Sequence, residues 1–225
     1  GRAPDAPSEL LCTRKCKIHS PSYFAFYFRR PLYQILIIPG DFMIEKYLIE
    51  HCSPTLASIK TANLFSVSLE KEKDAETQLQ RWGRLLYEKG IELVVIRLCE
   101  KRALVYVFRR SMLVKDLGRQ GVFDFLNKYG YNSLDPDEAL CRLAYRIRCS
   151  QEFPHEIGVF LGYPLNDVKC FIRYGGRNCK CSGCWQAYSN EEEALRIFSK
   201  YSKCRAVYKK KWQSGRSVME LTVAA

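Results

Sequence analysis

Three thiols fall within six positions in the stretch "NCKCSGCWQAY" at residues 178–188: Cys179, Cys181 and Cys184, the last followed directly by Trp185. Thiolates crowded in this way are ligands for zinc or for an iron–sulfur cluster, and a C-x2-C pair such as Cys181 and Cys184 is also the spacing of a redox dithiol. Cys204 extends the pattern to C-x-C-x2-C-x19-C. Zinc would need four ligands in a closed tetrahedral shell, and a cluster would also want an apolar surround, which Trp185 could supply. The spacing matches neither the two separated C-x2-C pairs of zinc ribbons nor the familiar ferredoxin runs. Three readings therefore stay open: a metal or cluster site, a thiol redox centre, and reduced cysteines that serve as small hydrophobes. Cys99, Cys141, Cys149 and Cys170 fall at mostly apolar positions and read as core, and the Cys12–Cys16 pair is given no role.

A second candidate is "EHCSPT" at residues 50–55. If Pro54 opens a helix, Cys52 sits where unsatisfied N–H groups and the helix dipole favour a thiolate. His155, in "FPHEIG", could then act as its base with Glu156 to orient it, although a hydrogen-bonded structural histidine at a helix start explains the same residue. No Ser-His-Asp order, phosphate-cradling glycine loop or dinucleotide fingerprint occurs.

Local pattern indicates how these groups are positioned. Ser53-Pro54 reads as a cap and first residue of a short helix running to Lys60. Residues 62–69 read as a strand, and 74–88 as a helix whose apolar stripe is Leu79, Trp82, Leu85 and Leu86, ended by Gly90. "IELVVIRLC" and "ALVYVFRR" form a hairpin. Residues 135–148 form a helix capped by Asp135, with Pro136 first and Leu140, Leu143, Ala144 and Ile147 on one stripe. Pro154 and Pro164 open two further short helices, the first carrying His155 and Glu156, the second Val168, Phe171 and Ile172. At the C-terminal end, "CWQAY" reads as a strand, Asn190 caps a helix and "CRAVYKKKW" reads as a second strand. Such a strand-helix-strand unit would cross over right-handedly and bring Cys184 and Cys204 to one sheet edge. The fold expected is α+β, a mixed sheet of about five short strands with helices packed mainly on one face.

Composition narrows the function classes. The chain has 225 residues, 47% of them apolar, which is enough for one domain with a real core. Eleven cysteines are an odd number at irregular spacing, so an extracellular disulfide framework is disfavoured and a reducing cytoplasm fits. There is no run of about 18 apolar residues, hence no expected membrane span. Lysine and arginine number 36 against 24 acidic residues, a net charge of +12. That excess would suit a nucleic acid, with Tyr208 and Trp212 as exposed stacking aromatics, if it were gathered on one surface. The basic runs are short, Arg29-Arg30, Arg109-Arg110 and Lys209-Lys210-Lys211, and read first as solvated faces or strand edges. Residues 1–42 lack a sustained period, and "GDFM" back-translates to a purine-rich ribosome-binding sequence before a start codon. The expectation is a read-through leader or a disordered extension at 1–42, followed by a single domain at 43–225.

"IEHCSPTLASIKTANLF", "FPHEIGVFLGYPLNDVKCFI", "CSGCWQAYSNEEEA" and "GRSVMELTVA", in that order, resemble a bacterial family known as domain of unknown function 3793 and frequent in anaerobic Gram-positive species. The likeness runs from about residue 43 to 225. It implies a cytoplasmic single-domain protein with no assigned reaction. It also implies that Cys181, Cys184, Trp185 and Cys204 are typical and Cys179 less so, which would bring in His51 or His155 as a fourth ligand. Flavodoxin-type and iron-related neighbours tip the expectation toward a metal- or thiol-dependent accessory protein in redox or iron metabolism. The alternatives are a basic nucleic-acid-binding module and a cysteine-nucleophile enzyme.

Overall fold

The chain enters its described part on a helix, α1 (Phe42–Leu56), whose Ile44, Leu48, Cys52 and Leu56 recur one turn apart and are all fully buried. Residues 42–69, 74–150 and 152–224 are described in the computed structural model, all within one unit of the chain, Ile35–Ala225. The expectation for 1–42 lies outside them, Phe42 apart, as do Cys12 and Cys16. Pro54 does not open a helix. It lies inside α1, which ends at Leu56, two residues beyond it.

Strand β1 (Ala62–Ser68), helix α2 (Ala75–Tyr87) and strands β2 (Glu92–Leu98) and β3 (Arg102–Phe108) follow as their composition predicts. Leu79, Trp82 and Leu86 form the buried stripe of α2, and Gly90 takes the left-handed turn after it at φ 73°. The sheet order is β1-β3-β2, antiparallel throughout, with Val105 opposite both Phe65 and Val95. Alternate residues of a strand face opposite ways. Phe65, Val67, Val105 and Val107 pack with Leu48, Cys52, Leu79 and Trp82, while Tyr106, on the other face, donates to the Phe160 carbonyl at 2.5 Å. Helices thus cover both faces, and the near-continuous apolarity of β3 reflects burial on each side.

Helices α3 (Arg110–Leu117), α4 (Val122–Asn127) and α5 (Pro136–Cys149) make up the middle. The Asp135 carboxylate accepts from the N–H groups of Asp137 and Glu138 at 3.0 and 3.2 Å, and Leu140, Leu143, Ala144 and Ile147 are buried. Cys141 and Cys149 fall off that stripe and are exposed, as is Cys99, while Cys170 is half-buried, so the four do not form core. The Arg109-Arg110 run is not a solvated edge. Arg109 is 1% exposed and donates to the carbonyls of Thr55, Leu56 and Val223 at 2.7, 2.9 and 2.6 Å. Arg110 forks onto Glu92 and reaches Asp137.

Helix α6 (Ile157–Phe160) starts beyond His155 and Glu156 rather than carrying them, and α7 (Leu165–Tyr174) follows Pro164. A two-residue hairpin, β4 (Cys181–Ser182) with β5 (Gln186–Ala187), leads into α8 (Glu191–Gln213), whose Asn190 cap accepts from Glu193 N–H. The last element is α9 (Val218–Leu221), opened by a Ser217–Glu220 capping box. "CRAVYKKKW" is therefore helix, not strand. No glycine or proline interrupts 191–213, and Tyr201, Arg205, Tyr208 and Trp212 recur every three or four residues, all half-buried. Among the described residues the architecture is α+β, with a three-stranded sheet and a separate hairpin in place of one five-stranded mixed sheet, and without a parallel crossover. No helix among the described residues is long and apolar enough to cross a membrane.

Candidate functional site

The thiol-rich stretch folds as the β4–β5 hairpin with Gly183, Cys184 and Trp185 at its tip. Gly183 is required there because Phe198 of α8 packs against the turn, and a Cβ would lie 2.3 Å from its ring. Asp167, 2% exposed near the start of α7, holds the hairpin from beneath. Its carboxylate accepts from Trp185 Nε1 at 2.8 Å, from the N–H groups of Tyr188 and Ser189 at 3.0 and 2.9 Å, and from Ser189 Oγ at 2.7 Å. Burial opposes its charge, but these donors outweigh it and keep the carboxyl below the usual aspartate range. Trp185 is clamped further by Tyr163, stacked at 5.2 Å between centroids, and by Phe198 edge-on at 4.5 Å.

So held, Cys184 turns its sulfur toward α8, where Arg205 Nη2 donates to Sγ at 3.0 Å. A guanidinium N–H to sulfur is a charge-assisted bond that suits a thiolate. Lys60, 4% exposed, donates to the Ala62 carbonyl, and its Nζ stands 5.2 Å from the Tyr163 ring centroid. Burial brings its amine down to about 8, against the opposing pull of the Cys184 and Cys52 sulfurs. Tyr201 is raised to about 12 and Tyr163 is also raised, in each case first by burial and then by the charge of Cys184. Arg205 is thus the cation bonded to this thiol, with Lys60, Tyr163 and Tyr201 near enough for their titration to respond to it.

The other predicted groups do not join it. The Cys181 thiol points toward the Glu191 carbonyl at 4.0 Å, Cys179 lies in the segment before β4, and Cys204 sits within α8, its thiol pushed up by burial. All are free cysteines. Among the described residues no three His, Cys, Asp or Glu side chains are grouped to hold a metal ion. Cys204 lies on a helix rather than on the expected strand, next in the chain to the Arg205 that bonds Cys184. The cation bonded to Cys184 is Arg205, whose charge opposes a second positive centre there. The residues present therefore do not fit a zinc or iron–sulfur shell, and Trp185 serves as a packing and pocket-wall residue.

His51 groups with the Tyr47 and Phe65 rings, each 5.9 Å away, and its pKa is lowered by burial, opposed by Glu50 and assisted by the Arg205 charge. Cys52 is fully buried in the core, and burial raises its thiol far above the ordinary range, the reverse of an activated nucleophile. His155 is exposed with its ring edge against Phe171 at 5.0 Å. Glu156 does not orient it, because that carboxylate is buried and accepts from Arg146 and Tyr131. Tyr208 and Trp212 are turned inward, donating to the Leu221 carbonyl at 2.7 Å and to Glu45 at 3.1 Å, so neither is a free stacking surface.

Sequence reasoning missed Lys60, Asp167 and Arg205. The helical recurrence of Tyr201, Arg205, Tyr208 and Trp212 was a usable signal for the last. Nothing local marks Lys60 as buried.

The model of a family described as Protein of unknown function (DUF3793) matches residues 48–222. No curated protein and no solved structure matches the chain.

Proposed function

The chain belongs to the DUF3793 family, whose match spans the hairpin, Lys60 and Arg205 together, and from that footing we propose that it is a thiol-dependent protein of redox metabolism whose working group is Cys184. The observation that carries this reading is the 3.0 Å bond from Arg205 Nη2 to Cys184 Sγ. In thiol–disulfide exchange the Cys184 thiolate attacks one sulfur of a disulfide, the S–S bond breaks, and the departing thiolate takes up a proton. Arg205 favours the attacking anion, and the Lys60 ammonium is the buried acid nearest in character to a departing thiol.

Alkylation with iodoacetamide near neutral pH, followed site by site by mass spectrometry, tests it. Cys184, half-buried, reacts faster than the more exposed Cys99, Cys141 and Cys149, and Arg205→Met slows Cys184 by about tenfold while leaving those three unchanged. A Cys184 rate no greater than that of the exposed thiols, or one indifferent to Arg205, rules the reading out.

A second reading, a polyanion-binding face, is supported by the exposed Lys200, Lys203, Lys210 and Lys211, which fall on one side of α8, a helix in which no carboxylate follows Glu193.

A further inference from the structure

A cavity of about 150 Å³ opens beside the hairpin, between α6, α7 and the far side of Trp185. Leu161, Tyr163, Val168, Phe171 and Trp185 line it, together with His155 and Gln186. The walls are fixed. The Trp185 indole is held by Asp167 at 2.8 Å and stacked by Tyr163, and the His155 ring meets Phe171 edge-on at 5.0 Å. Gly158 completes one wall. A Cβ there would stand 2.7 Å from Val168 Cγ2 and 3.3 Å from Tyr163 Cδ2, so only a residue without a side chain lets α6 and α7 close at this point.

Size and chemistry together specify an occupant. An apolar pocket of roughly this volume has room for one benzene-sized ring. Tyr163, Phe171, Trp185 and His155 present ring faces and edges, which an aromatic guest meets in offset or edge-on geometry better than an aliphatic one of equal size. A cationic guest finds no free carboxylate in the walls, and no lysine or arginine lines them to meet an anionic one. The one carboxylate in the wall, Asp167, already receives four donors, Oδ1 three and Oδ2 one. We propose that this cavity is a binding site for a compact, uncharged aromatic ring, with a single polar substituent directed to His155 or Gln186. The site stands whether or not Cys184 is the working thiol.

Titration of the full chain with phenol, cyclohexanol and benzoate, followed by proton NMR, tests the assignment. The chain has three histidines and three tryptophans, so the His155 ring signal and the Trp185 indole N–H signal can be assigned with His155→Gln and Trp185→Phe. Phenol should shift both saturably, with a Kd on the order of 1 mM, and show magnetisation transfer to Phe171 and Leu161 protons. Cyclohexanol should bind several-fold and benzoate at least tenfold more weakly. Val168→Phe, which fills the cavity, should abolish the shifts while the melting transition persists. If that variant does not fold, the transfer contacts in the wild-type chain decide alone. Absence of saturation up to the solubility of phenol, contacts at other residues, or benzoate binding as tightly as phenol would each overturn the proposal.

Discussion

Lys60 places its ammonium where the hydrogen-bond acceptor is a backbone carbonyl and the neighbouring face is an aromatic ring. The lowered pKa follows from that surrounding, and the direction of its effect on stability can be worked out. Between about 8, where the folded amine titrates, and the ordinary 10.5, the unfolded chain binds the proton and the folded one does not. Stability contributed through this group therefore rises with pH across that window, and the cost of burying the cation is fully present below it. Urea unfolding of the wild type and of Lys60→Met over the same pH series isolates the contribution. The wild-type stability relative to the variant should increase by on the order of 3 kcal/mol from the lower to the upper end. Equal slopes for the two proteins would show that the amine titrates normally. This residue was not legible in "SIKTAN", since a lysine between small residues carries no local mark of its burial, whereas the thiols were legible by type and spacing. What their spacing could not convey was direction. Cys181 and Cys184 sit on one hairpin yet turn to Glu191 and Arg205 respectively.

Among the elements, the hairpin has the least support of its own, two paired residues in each strand, and leans on α7 through Asp167. A pair of such short strands is at best marginal without packing partners. Asp167→Ala leaves the indole N–H and two backbone N–H groups beneath the hairpin without their acceptor, so chemical denaturation should report a loss of about 3 kcal/mol. Trp185 fluorescence should shift to the red as the ring gains access to water. A loss below about 0.5 kcal/mol, the range of neutral surface changes, would mean that the tip is held by its aromatic contacts alone. The longer elements were the readable ones. Asp135-Pro136 with the stripe Leu140, Leu143, Ala144 and Ile147 gave α5 nearly to the residue, and β-branched runs gave β1, β2 and β3. Residues 204–212 were misread because Val207, Tyr208 and Trp212 have high strand propensity, while the uninterrupted helix started by Asn190 decides their state in the folded chain.

For the whole molecule, charge is concentrated where secondary structure was misjudged. A strand would have sent the lysines at 209–211 alternately to two faces. At about 100° per residue, Lys210 and Lys211 fall on the side of α8 that carries Lys200 and Lys203, while Lys209, also exposed, projects to another side. If that surface binds a polyanion, single-stranded RNA affinity should fall steeply with salt, with a slope near −0.7 for each phosphate neutralised. Lys203→Glu combined with Lys210→Glu should flatten the slope. Binding that ignores salt would dispose of this reading and leave the thiol chemistry untouched. The arrangement of the helices has a different consequence. Trp212 of α8 reaches Glu45 of α1 across 167 positions of sequence, and Arg109 joins the end of α1 to Val223. During synthesis the apolar stripe of α1 can be covered by β1, α2 and β3 soon after it leaves the ribosome, whereas its side facing α8 must wait for almost the entire remaining chain, so that the last helix docks onto a sheet layer that is already in place.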